Sequence, residues 1–399
     1  MQRLNLDTET AARSAKRDPK WPAAILAASI VAFAAHASAH GGLIGSLLGF
    51  GITSGKLAKY QFQLKDDMPV TSLAWSPDGR YLAASSSEGN WIHIWDVQKR
   101  SLAGKFQRSS FGTQHDLSFS PDGRFFAVCD GLGGTFNIYD TKEWNKLRAI
   151  SPKAGDTCES TAFSSDSTQM ALRGNSIQVY ATKDWHQLSY LDLDQSWWRG
   201  RSVQAISYIP NTDILLLGGN DREEKDVPAD HCGTIWILAP GEQVPSRNFP
   251  AYRADPPNLM GCLVRMAISP DGQEVATGTM TGAGRPSMET VTASVHVLKI
   301  ADGTLVGRPL DGKGFGDQRG GLEYSPDGKF LFVADGGIHT DHLVHIIDPR
   351  TFQIVDSVRA DITIYDLAVH PRSTQFAVAA GNRIVIWSLP AQSEPTANK

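Results

Sequence analysis

Four cysteines, a tryptophan–arginine cluster and a short run of histidines are the residues of this 399-residue chain whose types invite chemistry. Cys129, Cys158, Cys232 and Cys262 allow three disulfide pairings; four buried free thiols are the other reading. No Cys-x-x-Cys or Cys/His spacing of the zinc kind is present. The run Ser196-Trp197-Trp198-Arg199-Gly200-Arg201 brings together two indoles and two guanidinium groups, the residue types that dominate contact energy at interfaces. They suit stacking on a ring or gripping an acidic or sugar ligand; one Trp plugging a gap in the core is the competing role. His339, Asp341, His342 and His345 resemble a ligand set at first glance. Residues 342 and 345, however, fall on opposite faces of a strand, which leaves only His339 and Asp341 in a loop. Two donors are thin for a metal, so no metal and no cofactor is expected. Neither a Gly-x-Ser-x-Gly elbow nor a phosphate-cradling Gly-x-x-x-x-Gly-Lys-Ser/Thr occurs, and no catalytic residue is assigned.

The elements that must position these residues come from one repeated phrase. An apolar alternating run, Ser-Pro-Asp-Gly and a second apolar run stand at 73–85, 117–128, 266–277 and 322–333, with looser copies at 161–172, 206–217 and 367–378. The turn proline position falls at Pro77, Pro121, Ser165, Pro210, Pro270, Pro326 and Pro371, in steps of 44, 44, 45, 60, 56 and 45 residues. Proline presets the first central position of a type I turn, Asp suits the second, and Gly accepts the left-handed conformation that closes the hairpin. The flanking runs alternate at period two, as half-buried antiparallel strands do. A third strand follows each copy, for example WIHIWD at 91–96 and RIVIWSL at 383–389, and a fourth, shorter segment precedes the next. Four strands repeated seven times, at a period near 45 residues, predict a seven-bladed β-propeller, an all-β fold of four-stranded antiparallel blades. The seventh copy lacks its outer strand, and Tyr60–Leu64, ahead of the first copy, has the right alternation to supply it.

These features resemble the WD-repeat propellers over roughly residues 58–390, in a degenerate form closer to bacterial exported members. Trp95-Asp96 is the namesake dipeptide, with Tyr139-Asp140 and Ile347-Asp348 as variants, while the Gly-His pair that opens a typical repeat is absent from every copy. By analogy of fold alone, the resemblance implies a scaffold that binds a protein or peptide partner. Other propeller families include enzymes such as lactonases and quinone-dependent dehydrogenases, which place His, Asp, Glu or Arg at the mouth of the central channel.

Within the repeat frame, Cys129 ends the second strand of blade 2 and Cys158 leads into blade 3; Cys232 and Cys262 stand in the same relation in blades 4 and 5. The two loop types share a face, which predicts bridges Cys129–Cys158 and Cys232–Cys262, each closing a loop of roughly 30 residues. The two long steps hold insertions after the second strands of blades 4 and 5, at 219–231 and 278–292, which bring Arg222 and Arg285 to that face. Long loops on a rigid scaffold are where binding usually lives, although tolerated surface insertion is the plainer reading.

The near-balanced charge of −4, without a basic stripe, argues against nucleic acid. Residues 1–20 carry five Lys/Arg, and no charged residue occurs from Trp21 to Ser54. The apolar stretch Pro22–Ala35 followed by Ala37-Ser38-Ala39 reads as a secretory signal peptide over 1–39; an uncleaved membrane anchor running on into Gly41–Ile52 is the rival. A linker at 40–57, the propeller at 58–390 and a disordered tail at 391–399 complete the expected organisation. The functional expectation is a non-enzymatic, exported or periplasmic scaffold. It would bind a protein or peptide through Trp197, Trp198, Arg199, Arg201, Arg222, Arg285, His339 and Asp341 on the loop-rich face of blades 4–6. The alternatives are a propeller enzyme at the channel mouth and a structural subunit of an envelope assembly, marked by a broad apolar patch.

Overall fold

The computed structural model describes residues 52–86, 91–107, 117–130, 134–151, 158–194, 196–199, 201–221, 233–251, 260–282, 292–310, 320–336 and 341–390. The expected leader, the tail, and Arg222, Arg285, His339 and Cys232 lie outside them. Among the described residues, twenty-eight strands form seven four-stranded antiparallel sheets. The innermost strands are Ser72–Trp75, Leu117–Phe119, Ser160–Phe163, Arg201–Tyr208, Met260–Ile268, Leu322–Tyr324 and Ile364–Val369, in blades 1 to 7. They meet their neighbours around a common axis. Between consecutive blades, side chains from both facing sheets form separate apolar clusters, so the core is a ring of seven wedges.

The repeated turn works as its chemistry dictates. In blade 1, Ser76 Oγ donates to Asp78 Oδ1 and accepts from the Tyr81 amide, the Arg80 amide donates to Asp78, and Gly79 sits at φ 73°. The same Ser–Asp bond recurs in blades 2, 3, 5 and 6. Blades 3 and 4 lack the glycine, and Ser167 and Asn211 take the left-handed conformation instead. The repeated Thr-Lys-Glu/Asp-Trp turns carry Trp144 and Trp185 at positive φ, which folds each indole back onto Phe125, Phe126 or their neighbours. The tryptophan of each turn is a packing device, while Lys142, Glu143, Lys183 and Asp184 stay exposed.

Lys59–Lys65 forms the outer strand of blade 7, pairing antiparallel with Arg383–Ser388 in a register that sets Tyr60 against Trp387 and Leu64 against Ile384. Residues 53–58, ahead of this latch, run along the outer strand of blade 6, Gln353–Arg359. There the buried Asp356 carboxylate accepts the amides of Lys56, Leu57 and Ala58, each at 2.7 Å. Gly55 is required here because a Cβ would stand 2.3 Å from that carboxylate.

Cys129 and Cys158 form the expected disulfide, joining blade 2 to the segment leading into blade 3. Cys262 lies inside the inner strand of blade 5 and not in the connection before it, and its expected partner Cys232 is outside the described residues.

Candidate functional site

The inner strand of each blade is an edge strand, and its outward N–H and C=O groups need partners that its own sheet cannot provide. Side chains from adjoining blades supply them. Asp366 of blade 7 accepts the Leu73 amide of blade 1 at 2.8 Å, and Glu323 of blade 6 accepts the Val369 amide of blade 7 at 2.7 Å. Asn220 accepts the Leu263 amide, and Arg173 donates to the Val203 carbonyl and to Glu159. The result is a polar central cavity of about 430 Å³ to which all seven inner strands contribute.

Three ionisable side chains gather on one side of it. Arg265, Gly321 and Asp366 occupy equivalent places, each five residues before the turn proline of its blade. Blade 6 therefore offers no side chain there, and the Arg265 guanidinium lies 3.9 Å from the Asp366 carboxylate. Glu323 stands beside them. Its residue keeps some accessible surface within the cavity, yet withdrawal from water pushes its carboxyl up to about 8. The Asp366 charge adds to the rise, while the Val369 amide and the Arg265 charge oppose it. At neutral pH Glu323 is thus mostly protonated and can donate a proton or a hydrogen bond, next to a guanidinium and a second carboxylate.

None of these residues was singled out by sequence spacing. A signal exists nonetheless: three residues before the turn proline the other copies carry only Ala or Ser (Ala74, Ser118, Ala162, Ser207, Ala267 and Ala368), and blade 6 carries Glu323.

The tryptophan–arginine run divides into different roles. Ser196–Trp198 is a short 3-10 turn that leads into the inner strand of blade 4. Trp198 is 1% exposed, packs at 5.5 Å against Trp236, and donates its Nε1 to the Gln243 carbonyl at 2.9 Å. It is a wedge between blades 3 and 4, which corrects its expected role as a contact residue: no partner can reach it. Trp197 is half-buried, set edge-on to Trp198, with the Arg201 guanidinium 3.8 Å from its ring centroid. Arg201 also donates to the Trp197 carbonyl and, across the strand pair, to Asp221 at 2.7 Å. Arg199 beside them is exposed. Asp341, also exposed, is 3.7 Å from Arg359.

The sequence matches the family described as WD domain, G-beta repeat, over residues 59–96 and 105–140. Both matches start in an outer strand and end on the Asp that closes a third strand, Asp96 and Asp140, which is the frame imposed by the latch. The chain is a WD-repeat-like seven-bladed β-propeller. No curated protein matches it. Among solved structures, this WD-repeat-like propeller is similar to a chain of Kuenenia stuttgartiensis hydrazine synthase. That match has 16% identity and a TM-score of 0.65, and covers 82% of this chain and 98% of the other. At that identity the likeness concerns the fold.

Proposed function

We propose that this propeller is an exported scaffold that binds a protein or peptide partner on the loop-rich face of blades 4–6. The observation that carries the proposal is the Trp197–Arg201–Asp221 assembly. An indole is held by a stacked guanidinium on one side and a tryptophan edge on another, while retaining accessible surface next to the exposed Arg199. A rigid, partly exposed Trp pre-organised by buried polar bonds has the properties of an interface anchor. The sequence-based expectation adds the exposed Asp341 to this surface, together with Arg222, Arg285 and His339, which lie outside the described residues. Export is supported by the Cys129–Cys158 bridge, since disulfides persist in oxidising compartments.

The test is a photo-reactive amino acid placed at position 199 in the native host. We expect a discrete crosslinked partner that is lost when Trp197→Ala is added, while Trp197→Phe retains part of it. Crosslinks unchanged by Trp197→Ala would overturn the assignment.

A second reading rests on the channel. Arg265, Glu323 and Asp366 give the carboxylates and cation that a small-molecule site, enzymatic or otherwise, would need. Thermal-shift screening of wild type and Arg265→Gln against small polar metabolites separates the two readings. Stabilisation of the wild type alone would favour the channel.

A further inference from the structure

Blade 1 carries a second group of ionisable side chains, remote from the proposed interface. Asp66 and Asp67 follow the latch strand, His93 lies in the third strand of blade 1, Trp91–Asp96, and Lys105 in its outer strand, Ser101–Gln107. His93 is 5% exposed. Its Nδ1 lies 2.8 and 2.9 Å from the two Asp66 carboxylate oxygens, and Asp66 is held in turn by Trp95 Nε1 and the Met68 amide. A carboxylate only accepts, so Nδ1 carries its proton towards Asp66 and Nε2 is the ring nitrogen left to meet a further group.

That Nε2 is buried and has no hydrogen-bond partner. It faces Asp67 Oδ1 at 3.7 Å, with the ligand atoms of Asp66, Asp67 and His93 all within 4.8 Å of one another. A buried nitrogen that faces a carboxylate oxygen across a gap too wide for a hydrogen bond is unsatisfied, which is costly unless something sits between them. Bonds of about 2.0–2.1 Å from one ion to an imidazole nitrogen and a carboxylate oxygen span about 3.4 Å at a tetrahedral angle. The observed gap is close to that. A carboxylate behind the distal imidazole nitrogen is, moreover, the usual support of a metal-bound histidine.

We infer that His93 Nε2 and Asp67 form a weak, water-completed binding site for a first-row divalent cation of the zinc type: the protein gives only two donors, but Asp66 locks the imidazole and Nε2 faces the Asp67 oxygen near the distance a shared ion would set. The mixed nitrogen and oxygen donors suit zinc rather than calcium or magnesium. Asp67 is 66% exposed, so the ion enters from solvent and water completes its coordination. Lys105 Nζ, 3.6 Å from the other Asp67 oxygen, is the built-in competitor.

The purified chain, stripped with a chelator, is titrated with Co²⁺ by visible absorption and with Zn²⁺ by calorimetry. One equivalent is expected to bind. Asp67→Asn, at an exposed position that leaves the fold intact, is expected to weaken binding at least tenfold, and Lys105→Gln to tighten it severalfold. An unchanged affinity in Asp67→Asn would overturn the proposal. So would the lack of saturable binding; a ¹⁵N NMR signature of His93 as an imidazolium would then assign the gap to a proton.

Discussion

Blade 2 is tied to blade 3 by a covalent bond between Cys129 and Cys158, whereas blade 7 is tied to blades 6 and 1 by hydrogen bonds and packing. The chain runs directly from blade 2 into blade 3, so the disulfide there closes a local loop of sequence separation 29. At the closing joints the partners lie about three hundred residues apart. Leu73 meets Asp366, Trp75 Nε1 donates to the Ala368 carbonyl, Trp387 Nε1 donates to the Thr53 carbonyl, and Asp356 receives three amides. A local joint survives on one strong bond. A joint that closes a ring against a large loop entropy spreads its energy over many contacts that form together.

The sharpest way to break this comparison is Asp356→Ala. It leaves three amides of the latch without their acceptor, and hydrogen bonds to a buried charge are individually strong. We expect a loss of roughly 3–5 kcal/mol in urea unfolding, with protease sensitivity appearing first between residues 52 and 65. Asp356→Asn, which keeps one acceptor, should lose less. A loss below about 1 kcal/mol in the alanine variant would show that strand pairing alone holds the latch.

The covalent joint should be the milder loss. Replacing Cys129 and Cys158 by Ser releases a loop constraint worth about 3 kcal/mol, partly offset by any strain relieved. The urea midpoint should fall while far-UV circular dichroism and the blade 4 surface stay as they are. Loss of the native fold in this double variant would mean that the bond is needed for ring closure, and the contrast between the joints would collapse.

How much of this was legible follows from where each signal resides. The Ser-Pro-Asp-Gly turns and their alternating flanks are local chemistry, so blade number, strand order and the latch from Tyr60 to Leu64 could be read directly. The Cys129–Cys158 bridge was legible because the repeat frame places both residues at corresponding loops of one face. Trp197 and Trp198 sit in a connection with no period, and nothing in the run tells which indole turns inward. The channel charges were hidden for another reason. Period two assigns a side chain to one face of a blade, but Arg265, Glu323 and Asp366 take their roles from edges of other blades. Asp356 and His93 have no local signal of their roles, because their partners lie elsewhere in the chain.

A last test uses pH on a contact between blades 6 and 7 that is local in sequence. Glu323 bridges blades 6 and 7 through the Val369 amide, and burial raises its carboxyl from the ordinary 4.5 to about 8. Below pH 4.5 the group is protonated whether the chain is folded or not, and the stability is fully present. Between 4.5 and about 8 the unfolded chain releases the proton that the folded chain keeps, so stability falls as pH rises. Glu323→Gln retains a neutral acceptor for the Val369 amide and removes the titration. Its urea midpoint should match wild type near pH 4 and exceed it at pH 8.5. The disulfide does not titrate, so the Cys129→Ser, Cys158→Ser variant should lie below wild type by the same margin at both pH values. A Glu323→Gln curve parallel to wild type would show that the carboxyl is already ionised in the fold and that this contact does not titrate.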